Sequence, residues 1–497
     1  MKKWIDRVTG RFTMYRTVFI ILLAISVVAL VLSLVGQLSY DPLELLASYA
    51  AAVASTILSS LLVAKLFGAK AHLESAAITG ILLFMVLVPT LDPVGLAAIA
   101  AAGVLASASK FLLAWRGRHI VNPAAFGALL VTAFGLTYSG WWVATPVLLP
   151  LVALGSLVVL YRTRRLPMAL VFIGVAVAIG MVRYGLTGDP VAGLEFALLS
   201  YPVVFLAGFM LSEPLTMPPR RWQQLLFAVV VAVLLMVPFN VGPLYSSPQL
   251  ALVVANVLAF AFGQRRGLVL TLQEKTALTP TTWEFTFRPS APVKFIPGQY
   301  LELTVPHAGS DAKGQRRMFS ISSAPGELVT VTLKVTDPVS SYKRSLLELE
   351  PGGRLRASLV AGDFALPSID TPVLLVAGGI GITPFASQLA HAVEVGEQRD
   401  IVVVYAVNAV EELAYADLLE RSGARVIVTA PVMPGRLPAG WTYGGPRVTQ
   451  EVLQAEVPDL ARRRAFVSGP PSLVNDVRTV LRRLGARRVT TDYFSGY

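Results

Sequence analysis

Cysteine is absent from all 497 residues, which excludes disulfides, cysteine-ligated zinc and ordinary iron–sulfur clusters within this chain. Histidine is nearly as scarce, with only His72, His119, His307 and His391. The first two fall in the apolar half, beside basic loops and far apart. A transmembrane haem pair needs histidines deep within helices on both ligating sides, so that option closes as well, and no metal site is expected. Charge is also thin: 14% of residues are charged, against about 25% in an ordinary soluble domain. The shortage is uneven. Long uncharged runs lie before residue 268, and the remainder reads as a soluble protein. A membrane domain followed by a globular one is implied. A net charge of +12 would suit nucleic acid, but topology accounts for the basic residues of the first half, and no nucleic-acid partner is expected.

A bilayer core needs about 20 apolar residues per helix. Ten stretches qualify: 17–36, 45–64, 75–91, 93–109, 123–138, 141–160, 167–182, 191–211, 222–239 and 248–263. The first is too long, and lacks the small-residue cleavage site, to be a signal peptide. Basic residues such as Lys2, Lys3, Lys65, Lys70, Arg116, Arg118, Arg164, Arg165, Arg220, Arg221, Arg265 and Arg266 occupy alternate loops, whereas the opposite set holds Arg183 alone. By the positive-inside rule both termini are expected in the cytoplasm of a multi-pass protein of the cell (inner) membrane.

Prolines 42, 89, 93 and 123 each recur 125 positions later, at Pro167, Pro214, Pro218 and Pro248. The text recurs too, as "FMVLVPTLDP" (84–93) and "FMLSEPLTMPP" (209–219). Five spans per repeat is an odd number, so the two halves are expected to be inverted, with a site near the midplane beside unusually started or broken helices.

From 268 to 367 short alternating runs such as "LVLTLQEKT", "TWEFTFRP" and "YLELTVP" predict an antiparallel β-barrel. From 370 to 497 apolar strands alternate with helical stretches, which predicts a parallel α/β sheet. Two motifs carry chemistry. "RRMFSISSAP" (316–325) offers a cation and hydroxyls for a diphosphate and a planar ring, although a basic strand edge would look the same. "AGGIGITPF" (377–385) follows a strand and opens a helix, where glycines let the backbone approach a pyrophosphate; such a turn can also be structural.

Together with "PGQY" (297–300), "SSYKRSL" (340–346), "VSGPPSLV" (467–474) and "DYFSGY" (492–497), these motifs resemble the ferredoxin–NADP reductase superfamily over 268–497. The resemblance implies FAD held by Tyr300, Arg317, Phe319, Ser320 and Ser322, with Ser320 near the reactive nitrogen, and Ser340 and Ser341 at the diphosphate. It implies NAD(P)H along Gly378, Gly379, Gly381, Thr383, Pro384 and Tyr405, with Ser468, Gly469 and Pro470 closing over the nicotinamide and Tyr497 stacking on the flavin. Ser320, Ser468 and Tyr497 are the implied catalytic group. Phe319 stands where tyrosine is usual and Ser468 where cysteine is frequent. After the strand ending near Tyr405 come Asn408, Glu411 and Glu412 with no arginine nearby, which leans toward NADH because a 2′-phosphate wants a cation.

In the membrane half, "GRHIVNPAAFG" (117–127) and "FMLSEPLTMPP" (209–219) resemble the NqrB/RnfD family of flavin-carrying membrane subunits, over roughly 1–265. That resemblance implies a second flavin, FMN or riboflavin. Members attach FMN to a threonine in a Ser-Gly-Ala-Thr motif; here "SGWWVATPVL" (139–148) interrupts the motif but leaves Thr145 on the expected outer side. An interfacial threonine beside the Trp141–Trp142 belt is the alternative. Arg118, Asn122 and Thr216 are the other candidates for the flavin's polar groups. Asn122 as N-cap and Pro123 at the first helical position would equally suffice to start a helix, and His119 reads as interfacial. The expected function is electron transfer from cytoplasmic NAD(P)H through FAD and a membrane flavin to an extracytoplasmic flavin-bearing protein or quinone. The alternatives are an inverted-repeat transporter with a redox-sensing domain, or a reductase merely anchored in the bilayer.

Overall fold

The computed structural model describes residues 14–67, 71–115, 118–242, 244–262, 268–307, 315–433 and 435–494. Two compact units divide the chain, Met1–Arg265 and Arg266–Tyr497.

The first unit is helical: α1 Met14–Leu34, α2 Pro42–Leu66, α3 Leu73–Val86, α4 Pro93–Leu112, α5 Pro123–Ala133, α6 Leu149–Thr163, α7 Leu166–Gly185, α8 Pro190–Ser200, α9 Val203–Met210, α10 Arg221–Met236 and α11 Pro248–Phe262. The starts are written in the sequence. Proline fits the first turn because its missing N–H would be unpaired there anyway. Before it stands an acceptor for the remaining amides: Asp41 in a capping box with Glu44, Asp92 accepting from Gly95, and Asn122 accepting from Ala125.

α8 and α9 stand together where one span is expected, so ten helical segments occupy the ten expected positions. Length and composition qualify four of them to cross a membrane, or five when the bent pair α8–α9 counts as one span; the other five are apolar helices of 10–17 residues. Four expected spans are corrected in detail. α5 ends at Ala133 rather than 138, with Phe134 as its C-cap. α3 stops at Val86 rather than 91, because Leu87–Thr90 turns extended and Thr90 N–H is held by Ser48 Oγ at 2.9 Å. Residues 141–148 precede α6 as irregular backbone, with Trp141 at φ 43°. The stretch 191–211 is bent by 53°, with π-helical turns Phe196–Ser200 and Leu206–Met210 on either side of Tyr201-Pro202. Pro202 lacks the amide hydrogen that would continue the helix.

The sequence repeat has a structural counterpart. Short hairpins precede both α5 and α11: β1 Ala114–Trp115 with β2 Arg118–His119, and β3 Asn240–Val241 with β4 Leu244–Tyr245. α2 packs on α4 as α7 packs on α10, and α4 on α5 as α10 on α11. Close approach relies on small residues: a Cβ on Gly127 would meet the Ala102 carbonyl oxygen at 2.4 Å. The equivalent helices α5 and α11 lie antiparallel. At the start of α5 the Asn122 N–H donates to Asn256 Oδ1, midway along α11, at 2.9 Å. At the start of α11, Gln249 donates to Ser139 Oγ, just beyond α5, at 3.0 Å and accepts from Trp141 Nε1 at 3.2 Å.

The second unit begins with an antiparallel sheet: β5 Leu268–Thr279, β6 Thr282–Pro289, β7 Tyr300–Thr304, β8 Arg316–Ser320, β9 Val329–Lys334 and β10 Arg354–Ala361, in the order β8-β7-β10-β5-β6-β9. A bridge between Ile321 and Val331 joins the two edges into a barrel. Alternate residues Leu270, Leu272, Phe285, Phe287, Leu301 and Leu303 fill its interior. Helix α12 (Ser341–Leu347) follows β9.

A parallel sheet comes next, from β11 Val373–Gly378, β12 Ile401–Ala406, β13 Arg425–Thr429, β14 Thr442–Tyr443, β15 Arg464–Gly469 and β16 Val489–Tyr493, in the order β14-β13-β12-β11-β15-β16. Helices α13 Thr383–Glu394, α14 Ala416–Arg421, α15 Gln450–Glu456 and α16 Pro471–Arg483 connect the strands. Val373, Leu375 and Val403 bury into one apolar layer, while Leu374, Val376 and Val402 bury into the other. Both faces are covered, which is why these strands read as unbroken apolar runs. β11 has β12 on one side and β15 on the other, so the strand order reverses there and opens a crevice at the carboxyl ends of β11 and β15.

Candidate functional site

The barrel brings together residues that are distant in the chain. β8 pairs with β7 so that Tyr300 faces Ser320 and Leu303 faces Arg317. Buried Tyr342 of α12 lies beneath the strand: the Arg317 guanidinium sits 4.9 Å from its ring centroid, and Phe319 stacks at 6.1 Å. The Tyr342 hydroxyl donates to the Leu303 carbonyl at 3.0 Å, and burial pushes its ionisation well above the ordinary tyrosine range. Ser340 caps α12 by accepting from Lys343 N–H at 3.3 Å, and Ser341 Oγ lies 3.1 Å from His307 Nε2. Arg317, Phe319, Ser340 and Ser341 therefore form one neighbourhood, floored by an aromatic ring that sequence reasoning did not single out.

A second neighbourhood lies at the crevice. Gly379 turns with φ +51° into the helical turn Gly379–Ile382, which leads to α13. Room there is minimal. A Cβ on Gly381 would meet the Ser468 carbonyl oxygen at 2.3 Å, and one on Gly378 would meet Pro470 Cδ at 3.0 Å. Gly469, at φ +148°, passes the Gly378 backbone with similar closeness. Thr383 Oγ1 donates to the Ile380 carbonyl at 3.0 Å and Pro384 fills the first turn of α13. Ser468 is fully buried, and its Oγ has no hydrogen-bond partner among the described residues. A bare-backbone cradle and an unpaired hydroxyl fit a group bound through its phosphates and a planar amide-bearing ring. Tyr405 is placed differently: its ring packs into the apolar layer with Val403, Val428 and Phe466, where desolvation raises its pKa, rather than among the glycines of the crevice. Tyr497 lies outside the described residues, as does the Arg118 side chain.

α13 ties the two neighbourhoods. Ser387 Oγ donates to the Ser323 carbonyl at 2.6 Å, and Gln388 Nε2 donates to the Phe364 carbonyl at 2.5 Å, close against Gly298 of "PGQY". Lys334 of the barrel pairs with Glu412, after β12, at 2.8 Å. Ser387 and Gln388 carry no sequence signal beyond following the glycine-rich turn.

In the helical unit Asn122 is fully engaged: its Oδ1 caps α5, and its Nδ2 donates to Glu213 Oε2 at 2.8 Å. His119 Nε2 meets Glu213 Oε1 at 2.9 Å, so it is paired rather than merely interfacial. Asn256 Nδ2 donates to the Thr216 carbonyl at 3.4 Å. Lys110, Asn122, Ser212 and Glu213 line a cavity of about 60 Å³ together with Ser75 and Tyr15. A drug-sized ligand needs roughly 300 Å³ or more, so a flavin would need this cluster to open. Thr145 Oγ1 is buried without a partner among the described residues, and so offers a free hydroxyl. Glu213 and Asn256 were missed by sequence reasoning. The available signal was the repeat: at 125 positions earlier stand Val88 and Val131, so a polar residue replaces an apolar one in each case.

A family model described as an oxidoreductase NAD-binding domain matches residues 375–479. The ferredoxin–NADP reductase B of Sorangium cellulosum is 31% identical over 202 residues, which cover 39% of this chain and 79% of that protein. NADH oxidoreductase HCR of Escherichia coli is 27% identical over 222 residues, 44% of this chain and 65% of that protein. Among solved structures, the flavohem-like FAD/NAD-binding domain of nitric oxide dioxygenase from Vibrio cholerae covers 46% of this chain and 99% of its own, at 21% identity and a TM-score of 0.40. The chain belongs, through its C-terminal region, to the ferredoxin–NADP reductase family and is an FAD-dependent NAD(P)H oxidoreductase.

Proposed function

We propose that this chain carries electrons across a membrane, from cytoplasmic NADH through FAD and a second, membrane-held flavin to an extracytoplasmic flavin-bearing protein or a quinone. The membrane half is read as an NqrB/RnfD-like domain of ten spans in two inverted repeats, with both termini cytoplasmic. The observation that carries this reading is the antiparallel docking of α5 on α11, the helices that close the two matching repeats, in a chain whose other unit is a reductase.

Bound FAD supplies the conversion of a two-electron hydride into single electrons. The chain supplies placement. Arg317 and the Ser340–Ser341 turn are assigned to the FAD diphosphate, Phe319 and Tyr300 to its ring, and Ser320 and Ser322 to its polar edge. Gly378, Gly379, Gly381, Thr383 and Pro384 are assigned to the nicotinamide nucleotide, with Ser468, Gly469 and Pro470 at the nicotinamide and Tyr497 as the flavin's stacking partner. Burial of Ser468 also excludes water from the transfer. In the membrane half Thr145 is assigned as the attachment point of FMN, and Arg118, Asn122 and Thr216 as partners of a flavin's polar groups.

The test is direct. The full chain is purified in detergent, its flavin-to-protein ratio is measured, the protein is acid-precipitated to find covalent flavin, and NADH is added without oxygen. Two flavins per chain, both bleached, are expected. A single flavin with the membrane half empty overturns the relay while leaving the oxidoreductase intact.

A further inference from the structure

Four side chains form an unbroken line across the reductase unit. Ser322 Oγ lies 2.9 Å from Thr332 Oγ1, Thr332 Oγ1 lies 2.5 Å from Tyr415 Oη, and Tyr415 donates to Glu284 Oε2 at 2.6 Å. Three belong to the barrel: Ser322 follows β8, while Glu284 on β6 and Thr332 on β9 are direct cross-strand partners. Tyr415 belongs to the parallel-sheet domain, in the segment between β12 and α14, and adopts φ +64°. A non-glycine residue is seldom found there, and such strain persists where the surroundings hold it. The surroundings are these hydrogen bonds and the neighbouring Lys334–Glu412 pair.

The line has a direction. A carboxylate only accepts, so Tyr415 must donate to Glu284, Thr332 then donates to Tyr415, and Ser322 donates to Thr332. Ser322, buried between Ser320 and Ser323 in the chain, thus spends its proton on Thr332. Ser323 is also where α13 anchors the second domain. Charged groups facing Glu284 are few: Glu274 on β5 is the other carboxylate acting on it, and Tyr415 the other titratable group in contact.

We propose that Tyr415, held by Glu284 and Thr332, is a positioning residue for hydride transfer: it fixes the nucleotide domain on the flavin barrel and orients the Ser322 hydroxyl. This rests on the assignment of Ser320–Ser322 to the flavin edge and of the β11–β15 crevice to the nicotinamide.

The experiment uses the full-length, flavin-loaded chain. Anaerobic stopped-flow reduction by NADH gives the limiting rate and the apparent Kd separately. Amide hydrogen exchange over 407–415, measured without nucleotide, reports the latch itself. Tyr415→Phe keeps the ring and is expected to slow reduction about tenfold with Kd within twofold, to weaken the long-wavelength charge-transfer absorbance formed with nicotinamide, and to speed exchange over 407–415. Glu284→Ala is expected to behave alike, and Glu284→Gln, whose amide oxygen still accepts from Tyr415, to recover most of the rate. A normally reducing wild type beside a Tyr415→Phe chain of unchanged rate and exchange overturns the proposal alone. A wild type that NADH fails to reduce overturns the site assignment, and the proposal with it.

Discussion

At the scale of single residues, Gly381 shows how little space the nucleotide crevice leaves. The obstacle to a side chain is the Ser468 backbone carbonyl, which cannot swing away as a flexible side chain could. Gly381→Ala is therefore expected to displace the turn between β11 and α13, to cost about 1–3 kcal/mol of stability, and to cut NADH oxidation at least tenfold; thermal unfolding and steady-state kinetics measure both. Glu284 makes a second prediction. Burial, opposed by the hydrogen bond that Tyr415 donates, leaves its pKa above the usual carboxylate value. The folded state then holds the proton more tightly than the unfolded chain. Stability from this group is full below the unfolded value of about 4.3 and is lost as pH rises through the raised folded value. Glu284→Gln cannot titrate, so its Tm is expected to exceed wild type at pH 7 and to converge with it at pH 4. A Tm difference independent of pH would contradict this.

At the scale of elements, the sequence announces starts better than ends. Pro42, Pro93, Pro123 and Pro248 each open a helix because ring geometry and the preceding cap are local properties. Ends depend on partners distant in sequence: α3 stops where Ser48, 42 residues away, takes the Thr90 amide. β16 was legible only as a motif, since its half-buried "VTTDY" has too little apolar alternation to read as a strand. The site divides in the same way. Gly378–Gly381 and Arg317–Ser320 are contiguous motifs and could be read; Tyr415, Gln388, Asn256 and Glu213 matter through contacts that only folding makes. Asn122 joins both classes, visible as a cap but not as a partner of Glu213. Asn122→Ala removes the cap, worth about 1 kcal/mol, and takes the Nδ2 donor from the Glu213 carboxylate, worth about 1–3 kcal/mol more, while the backbone N–H that serves Asn256 is kept. Thermal unfolding in detergent is expected to show a loss near their sum, and Asn122→Ser, which caps but does not reach as an amide, a smaller one.

At the scale of the whole molecule, the two units hold different kinds of assignment. The reductase unit belongs to a family whose members are NAD(P)H oxidoreductases, whereas the helical unit contributes architecture and a few buried polar groups. Thr145→Ala separates them: acid-stable flavin is expected to vanish while the flavin reduced directly by NADH persists at one per chain. Retention of acid-stable flavin in that variant would move the attachment elsewhere.

The antiparallel pairing of α5 with α11 also bears on directionality. A scaffold made of two equivalent, oppositely running halves has no preferred sense of its own, since exchanging the halves restores it. The side chains break that equivalence. Among the described residues, one end of the pair gathers Glu213, His119 and Asn122, and the other the neutral Gln249, Ser139, Thr132 and Trp141. The pair therefore has an ionisable end and an uncharged end, a difference carried by its side chains rather than by the fold.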